Sequence, residues 1–282
     1  MGTSAFAVTV LDRLADSPHR PALVLTRPDR PRGRGRRPAP PPVAVAAGEL
    51  GIDLLQPAQL NDALEQVAAV APTAVCVCAY GALVREPLLS AYEMLNVHPS
   101  LLPRWRGAAP IERALMAGDP ETGVSILRLT AGLDSGPICA IRAEPIRPQD
   151  TYGTLAPRLA ELGAQLLLES LDDPAEFVPQ TEDGLTYAEK IGPDDRRLDP
   201  ARPPEELARI VRALDPHVGA RIGELRVIAA RPTDDAVPPG ELAARAGRLL
   251  FGAAGGALEL RRVQPPGGRP MEAADYLRGH AV

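Results

Sequence analysis

Leu60-Asn-Asp-Ala-Leu64-Glu-Gln-Val67-Ala-Ala-Val-Ala71-Pro-Thr73-Ala-Val-Cys-Val-Cys-Ala79 reads as a helix followed by a strand. Leu60, Leu64, Val67 and Ala71 recur at helical spacing, and Thr73–Ala79 is an apolar run with the look of a buried strand. The same alternation runs upstream. A helix is expected over 3–15, capped by Thr3 or Ser4, with Phe6, Val10, Leu11 and Leu14 on one face. Ala22–Thr26 suits a short strand, Val43, Ala46, Ala47 and Leu50 mark a helix ending at Gly51, and 52–55 suits another strand. Strand and helix alternating at short spacing indicate an α/β fold with a doubly wound, mostly parallel sheet. Downstream, Met94–His98 reads as a strand end. A helix over Ala109–Ala117, with Pro110 in its first turn, follows it. Val124–Leu129 and Ile138–Ala143 read as paired strands joined by the turn Ala131-Gly-Leu-Asp-Ser-Gly136. A long helix from Thr151 carries Leu155, Leu159, Leu162 and Leu166.

These elements set a first domain over residues 1–175, a polar linker broken by Pro and Gly over 176–200, and a C-terminal domain over 201–282. In the last, apolar runs at Leu225–Ala229, Arg248–Phe251 and Leu258–Val263 between Gly/Pro turns suit a small β-barrel. The first strand of the doubly wound pattern has no counterpart, because the chain opens at Met1-Gly-Thr directly before the first helix. That strand would normally lie near the sheet centre, and its loss would bare backbone edges on both neighbours. Either the true start lies upstream or the fold has been rebuilt, and an upstream start is the expectation.

Composition excludes several classes. Hydrophobic residues make up 45% of the 282 and charged residues 24%, an ordinary globular balance. No apolar stretch approaches the roughly 18 residues needed to span a bilayer, and no signal-peptide pattern opens the chain, so a cytoplasmic protein is expected. Of the three cysteines, Cys76 and Cys78 alternate within a strand, and all three are expected to be buried and reduced. The net charge of −5 argues against indiscriminate nucleic-acid binding. Locally the field reverses: Arg20, Arg27, Arg30, Arg32, Arg34, Arg36 and Arg37 share their stretch with one acid, Asp29. The Arg/Pro/Gly stretch 27–41 is expected to be an irregular loop.

The chemistry concentrates in Asn96-Val-His98-Pro-Ser-Leu-Leu-Pro103-Arg-Trp-Arg-Gly-Ala-Ala-Pro110 and Gly132-Leu-Asp134-Ser-Gly136. Asn96 and His98 alternate along a strand end, so their side chains share a face, and open α/β sheets place ligands at such ends. A Gly-flanked Asp134 could reach the same crevice. An amide, an imidazole and a carboxylate together offer an oxyanion donor, a proton mover and an orienting charge. Taken singly, His98 could simply end a strand and Asp134 turn a hairpin. His217 and His280 have no local constellation and read as surface residues.

The combined run resembles the signature of the 10-formyltetrahydrofolate-dependent formyltransferases, whose Asn, His and Asp fall on Asn96, His98 and Asp134. Ser100-Leu-Leu-Pro-Arg-Trp-Arg-Gly-Ala-Ala-Pro-Ile111 is similar to the branch acting on methionyl initiator tRNA. Gly2-Thr-Ser-Ala-Phe-Ala, Ala79-Tyr-Gly81, Thr186-Tyr-Ala-Glu-Lys190 and Val263-Gln-Pro-Pro-Gly-Gly-Arg-Pro-Met271 extend the likeness along the chain. The resemblance implies a formyltransferase-like sheet domain followed by a small OB-like β-barrel that adds a second tRNA surface. It implies transfer of formyl from 10-formyltetrahydrofolate to the α-amine of methionine on initiator tRNA, with no metal. Asn96 and protonated His98 would stabilise the oxyanion, and Asp134 would orient His98. Ser100, Leu101, Leu102, Pro103, Tyr80 and Gly81 would border the folate. Arg30, Arg32, Arg34, Arg36 and Arg37 would meet the tRNA acceptor end. A monomer is expected. The competing readings are a formyltransferase for a small amine and an inactive tRNA-binding remnant.

Overall fold

The elements follow the order α1 (Ala5–Ala15), β1 (Leu23–Leu25), β2 (Arg30–Arg32), β3 (Arg37–Ala39), α2 (Pro42–Glu49), β4 (Asp53–Leu55), α3 (Leu64–Val70), β5 (Val75–Cys78), α4 (Leu88–Ala91), β6 (Met94–His98), β7 (Arg106–Gly107), α5 (Pro110–Ala117), β8 (Glu121–Arg128), β9 (Ile138–Pro145), α6 (Tyr152–Asp172) and β10 (Tyr187–Ala188). Then come α7 (Pro204–Leu214), β11 (Ala220–Ile222), β12 (Leu225–Thr233), β13 (Leu242–Arg245), β14 (Arg248–Ala253), β15 (Gly256–Gln264), β16 (Met271–Glu272) and α8 (Ala273–Gly279). The computed structural model describes residues 1–32 and 37–280. The helical stripe from Leu60 is split: Leu60–Ala63 is a 3-10 turn closed by a capping box between Gln59 and Asp62, and α3 begins after it.

The chain falls into two compact units: residues 1–107, 122–144 and 156–187 form one, and 108–121, 145–155 and 188–282 the other. In the first, β1 and β4 run parallel, as do β5 and β6, while β8 lies antiparallel to β6 and β9 flanks β8. Met1 and Gly2 link the two halves of this sheet. Gly2 donates to the Leu25 carbonyl at 3.1 Å, Cys78 donates to the Met1 carbonyl at 2.9 Å, and the Met1 ammonium donates to the Cys76 carbonyl at 2.6 Å. Burial pushes the pKa of that ammonium down. Two residues reach only the C-terminal end of the slot between β1 and β5. Further down, a cavity of about 420 Å³ opens between Leu23, Val24, Val75 and Cys76, under Val10 and Leu14 of α1. Cys78 is buried, but Cys76 and Cys139 are only partly so.

Residues 27–41 are not wholly irregular. β2 and β3 pair antiparallel, with Pro31 opposite Pro38. A ladder of two strands consists entirely of edges, where the missing N–H of proline costs little. Residues 33–36, and with them Arg34 and Arg36, lie outside the described residues.

The second unit is an antiparallel sheet in the order β11-β12-β15-β14-β13, with β16 on β15. Among the described residues β11 and β13 stand at the two ends of this path. Its core gathers Leu207, Val211, Leu214, Leu249, Leu258 and Leu260. Helix α7 supplies the first three from one face. Each such side chain contributes about 1.5–3 kcal/mol on burial, which explains how so short a helix stays docked. His217 is exposed, as expected of a surface residue, but it has partners: its Nε2 lies 2.9 Å from Glu112 Oε1, and its ring stacks on Tyr152 with centroids 3.7 Å apart. His280 stacks on Tyr276 one turn earlier in α8. No helix among the described residues is long and apolar enough to cross a membrane.

Candidate active site

Strand β6 presents Asn96 and His98 because of how α6 packs. A Cβ on Gly163 of that helix would lie 2.7 Å from Val97 Cγ1, so α6 rests almost directly on Val97. Alternation then sends Asn96 and His98 to the opposite face. Both are nearly enclosed, at 9% and 4% exposure. Polar groups so buried need partners, and the turn between β8 and β9 supplies them.

That turn brings the Asp134 carboxylate between them. Asn96 Nδ2 donates to Asp134 Oδ1 at 3.3 Å, the Gly107 backbone N–H donates to Oδ2 at 2.9 Å, and His98 Nδ1 lies 3.6 Å from Oδ2. The last distance is too long for a hydrogen bond, and it becomes an ion pair when the imidazole carries its second proton. The other imidazole nitrogen, Nε2, is 2.9 Å from the Trp105 carbonyl. A carbonyl only accepts, so Nε2 carries a hydrogen and Nδ1 is the position facing the carboxylate.

Backbone conformation sets the turn. Asp134 has φ 45°, a left-handed geometry that Asp tolerates better than most residues, and Trp105 has φ 64°. A Cβ at Gly136 would stand 1.8 Å from the Arg128 carbonyl oxygen, so only glycine lets the turn close this tightly.

Ser100-Leu-Leu-Pro103 leads straight out of β6. Ser125 on β8 holds this loop: its hydroxyl donates to the Ser100 carbonyl at 2.7 Å and accepts from Leu102 N–H at 3.2 Å. The Ser100 hydroxyl is itself used, donating to the Arg104 carbonyl at 2.7 Å. Tyr80 is 2% exposed and packs with Leu25, Leu88 and Met94, and burial pushes its hydroxyl pKa up. Gly81 is exposed at φ 75°. Leu133, next to Asp134, and Leu83, two residues past Gly81, are exposed apolar side chains. Arg30 and Arg37 are exposed on the hairpin.

The sequence reading passed over Ser125, Arg106, Gln180 and the use made of Thr186. Ser125 carried a signal, since a polar residue inside the apolar run Val124-Ser-Ile-Leu127 has to find a partner. Gln180 carried none, for it sits in a stretch read as linker. Arg106 Nε and Nη2 both donate to Gln180 Oε1, and the Thr186 hydroxyl accepts from Trp105 N–H.

An amide, an imidazole and a carboxylate gathered at a strand end of an α/β sheet can serve an acyl-type transfer, and sequence comparison names the group that the family transfers. Residues 1–171 match the formyl transferase profile and residues 190–281 that of the formyl transferase C-terminal domain, and the chain belongs to this family. Relatives within it include methionyl-tRNA formyltransferases. The enzyme of Halorhodospira halophila is 47% identical over the whole of this chain and 95% of its own length. That of Thermus thermophilus is 43% identical, again over the whole chain and 95% of its own length. Among solved structures, the N-formyltransferase from Helicobacter canadensis, crystallised with folinic acid and dTDP-3-aminofucose, has TM-score 0.68 at 17% identity and covers 92% of this chain and 96% of its own. HypX from Aquifex aeolicus in complex with tetrahydrofolic acid has TM-score 0.62 at 21% identity, over 82% of this chain and 43% of its own. At these identities the likeness is one of fold. The chain is therefore a formyltransferase, and its sheet domain followed by a second domain is the family's architecture.

Proposed function

We propose that the chain transfers formyl from 10-formyltetrahydrofolate to the α-amine of methionine on initiator methionyl-tRNA, with Asn96, His98 and Asp134 at the reacting centre. The observation that carries this reading is the convergence of Asn96, His98 and the Gly107 N–H on the two oxygens of Asp134. Similarity to methionyl-tRNA formyltransferases from end to end supports the choice of acceptor.

The folate supplies a formyl carbon on N10, electrophilic enough for an amine to attack. In this reading the flat heteroaromatic donor lies against Ser100–Pro103 and the Tyr80-Gly81 turn, with exposed Leu83 and Leu133, close in sequence to Gly81 and Asp134, as further apolar surface. Attack turns the formyl oxygen into an oxyanion. Asn96 spends one amide hydrogen on Asp134 and keeps the second for that oxygen. His98 has a hydrogen on Nε2, held by the Trp105 carbonyl, and takes up the oxyanion by exchanging that carbonyl for it. Each donor of this kind is worth about 3 kcal/mol in related oxyanion sites. Asp134 faces Nδ1 and stabilises the charged imidazole as negative charge develops, and the attacking amine loses its proton toward the same carboxylate through water; collapse of the oxyanion then breaks the bond between the formyl carbon and N10, which takes up that proton as tetrahydrofolate leaves.

Arg30, Arg32, Arg34, Arg36 and Arg37 form a cationic segment suited to phosphates and unpaired bases at the acceptor end, and the C-terminal domain adds a second tRNA surface. The test is formyl transfer to methionyl initiator tRNA by the wild type, Asn96→Ala and His98→Ala, with free small amines as competitors. Loss of kcat by a factor of about 10²–10³ in each variant, without competition, is expected. Activity within a few-fold of wild type in His98→Ala would remove His98 from the reacting centre, and efficient formylation of the small amines would replace the tRNA acceptor.

A further inference from the structure

We infer that Gln180, together with Arg106, positions Asp134, so that the segment following α6 is part of the catalytic machinery. This rests on the reading of Asp134 given above.

Asp134 sits in a six-residue turn with little to hold it from within. Among the described residues, the side-chain pairing inside the turn region is a long 3.5 Å contact between the Thr130 and Ser135 hydroxyls. Gln180 supplies the restraint from outside. Its Nε2 donates to the Asp134 carbonyl at 2.8 Å and to the Gly136 carbonyl at 2.7 Å, using both amide hydrogens. Its Oε1 accepts from Arg106 Nε at 2.9 Å and Nη2 at 2.8 Å. The amide can point only one way, since a guanidinium has no acceptor and a carbonyl no hydrogen.

The residues beside Arg106 both belong to the site. Trp105 gives its carbonyl to His98 Nε2, and Gly107 gives its N–H to Asp134 Oδ2. Gln180 therefore ties peptide 105–107 to peptide 134–136, and one side-chain amide fixes the spacing between the His98 contact and the carboxylate. Gln180 is itself placed by the backbone. Val178 and Ile138 exchange N–H···O bonds of 2.9 Å in both directions, which brings position 180 alongside 136 in an antiparallel run. Thr186 completes the grip, its hydroxyl taking Trp105 N–H at 2.9 Å and its carbonyl taking Arg106 N–H at 3.0 Å.

Gln180→Glu separates positioning from bulk stability. The introduced carboxylate keeps Arg106 as an ion pair but has no hydrogen for the two carbonyls. The expected result is an unchanged melting temperature, a KM for tRNA within twofold, and a kcat lower by about 10- to 100-fold, the scale of a displacement near 1 Å. Introduced into Asp134→Asn, the same change should cost less than about threefold more, because a residue that acts through Asp134 has nothing left to position. If Gln180→Glu folds poorly, Gln180→Met keeps the volume without the hydrogen bonds, and the same kcat loss is expected of it. A normal kcat in whichever variant folds overturns the inference, and so do losses that simply multiply in the double variant. Should Asp134→Asn alone retain full activity, the failure lies with the reading of the reacting centre and not with the clamp alone.

Discussion

Gly136→Ala should cripple turnover while leaving the fold standing. The added Cβ would begin 1.8 Å from the Arg128 carbonyl oxygen, and contacts below 3.0 Å essentially do not occur, so something must move by at least about 1.2 Å. Arg128 is the less able to yield. It ends β8, its N–H is bonded to the Pro137 carbonyl at 2.9 Å, and its strand is paired with β6. The displacement therefore falls on the turn, which carries Asp134 two residues away. Overpacking of this size costs about 1–3 kcal/mol of stability. A misplacement near 1 Å at a reacting group costs on the order of 10²-fold in rate. The assay is the fraction of methionyl-tRNA formylated with time at saturating donor, read beside thermal unfolding. The predicted pattern is a kcat lower by about two orders of magnitude in a folded protein. A kcat within threefold of wild type would mean that the turn absorbs the methyl without moving Asp134, or that its position is irrelevant to the rate, and either result refutes the reasoning.

Asp134→Asn keeps the shape and an acceptor oxygen but removes the charge facing His98 Nδ1. A drop in kcat of about 10²-fold or more with little change in KM is expected, because the charge matters when imidazolium forms. Replacing Arg34 and Arg36 by Ala should weaken tRNA use and flatten its salt dependence by about one unit of log–log slope for each phosphate no longer neutralised. An unaltered slope would mean that these two arginines meet no phosphate. In the second unit, hydrogen bonds from Arg113 hold the Asp195 carboxyl below its usual pKa of 3.8. Such stabilisation is fully present above the unfolded-state pKa and disappears as pH falls through the lower folded value. Asp195→Asn should thus lower the melting temperature at pH 7, by the equivalent of about 1 kcal/mol for a partly exposed pair, and the difference should close below pH 4. A gap that persists into acid would tie the loss to geometry instead of charge.

Local pattern was enough for much of the chain. The αβ alternation through Ala79 follows from apolar spacing, since a helix and a strand bury different periodicities. The strand with Asn96 and His98 on one face follows from the period of two. The cluster around Asp134 was legible because its residues lie in two short, chemically dense runs. Where a motif falls on local structure, the sequence alone determined both the element and the face on which the candidate residues meet.

Other features depend on distant segments meeting, and no local rule reports that. The β2–β3 pairing was hidden by its prolines, which argue against strands only where a ladder needs every N–H. His217 looked solitary because Glu112 and Tyr152 are far away in sequence. Gln180 looked like linker because its four partner atoms belong to Arg106, Asp134 and Gly136, and only the pairing of Val178 with Ile138 brings them together. The presence of Asn96, His98 and Asp134 is written in the chain. Their spacing depends on hydrogen bonds between segments some 30 to 80 residues apart, whose directions exist only once the backbone has folded.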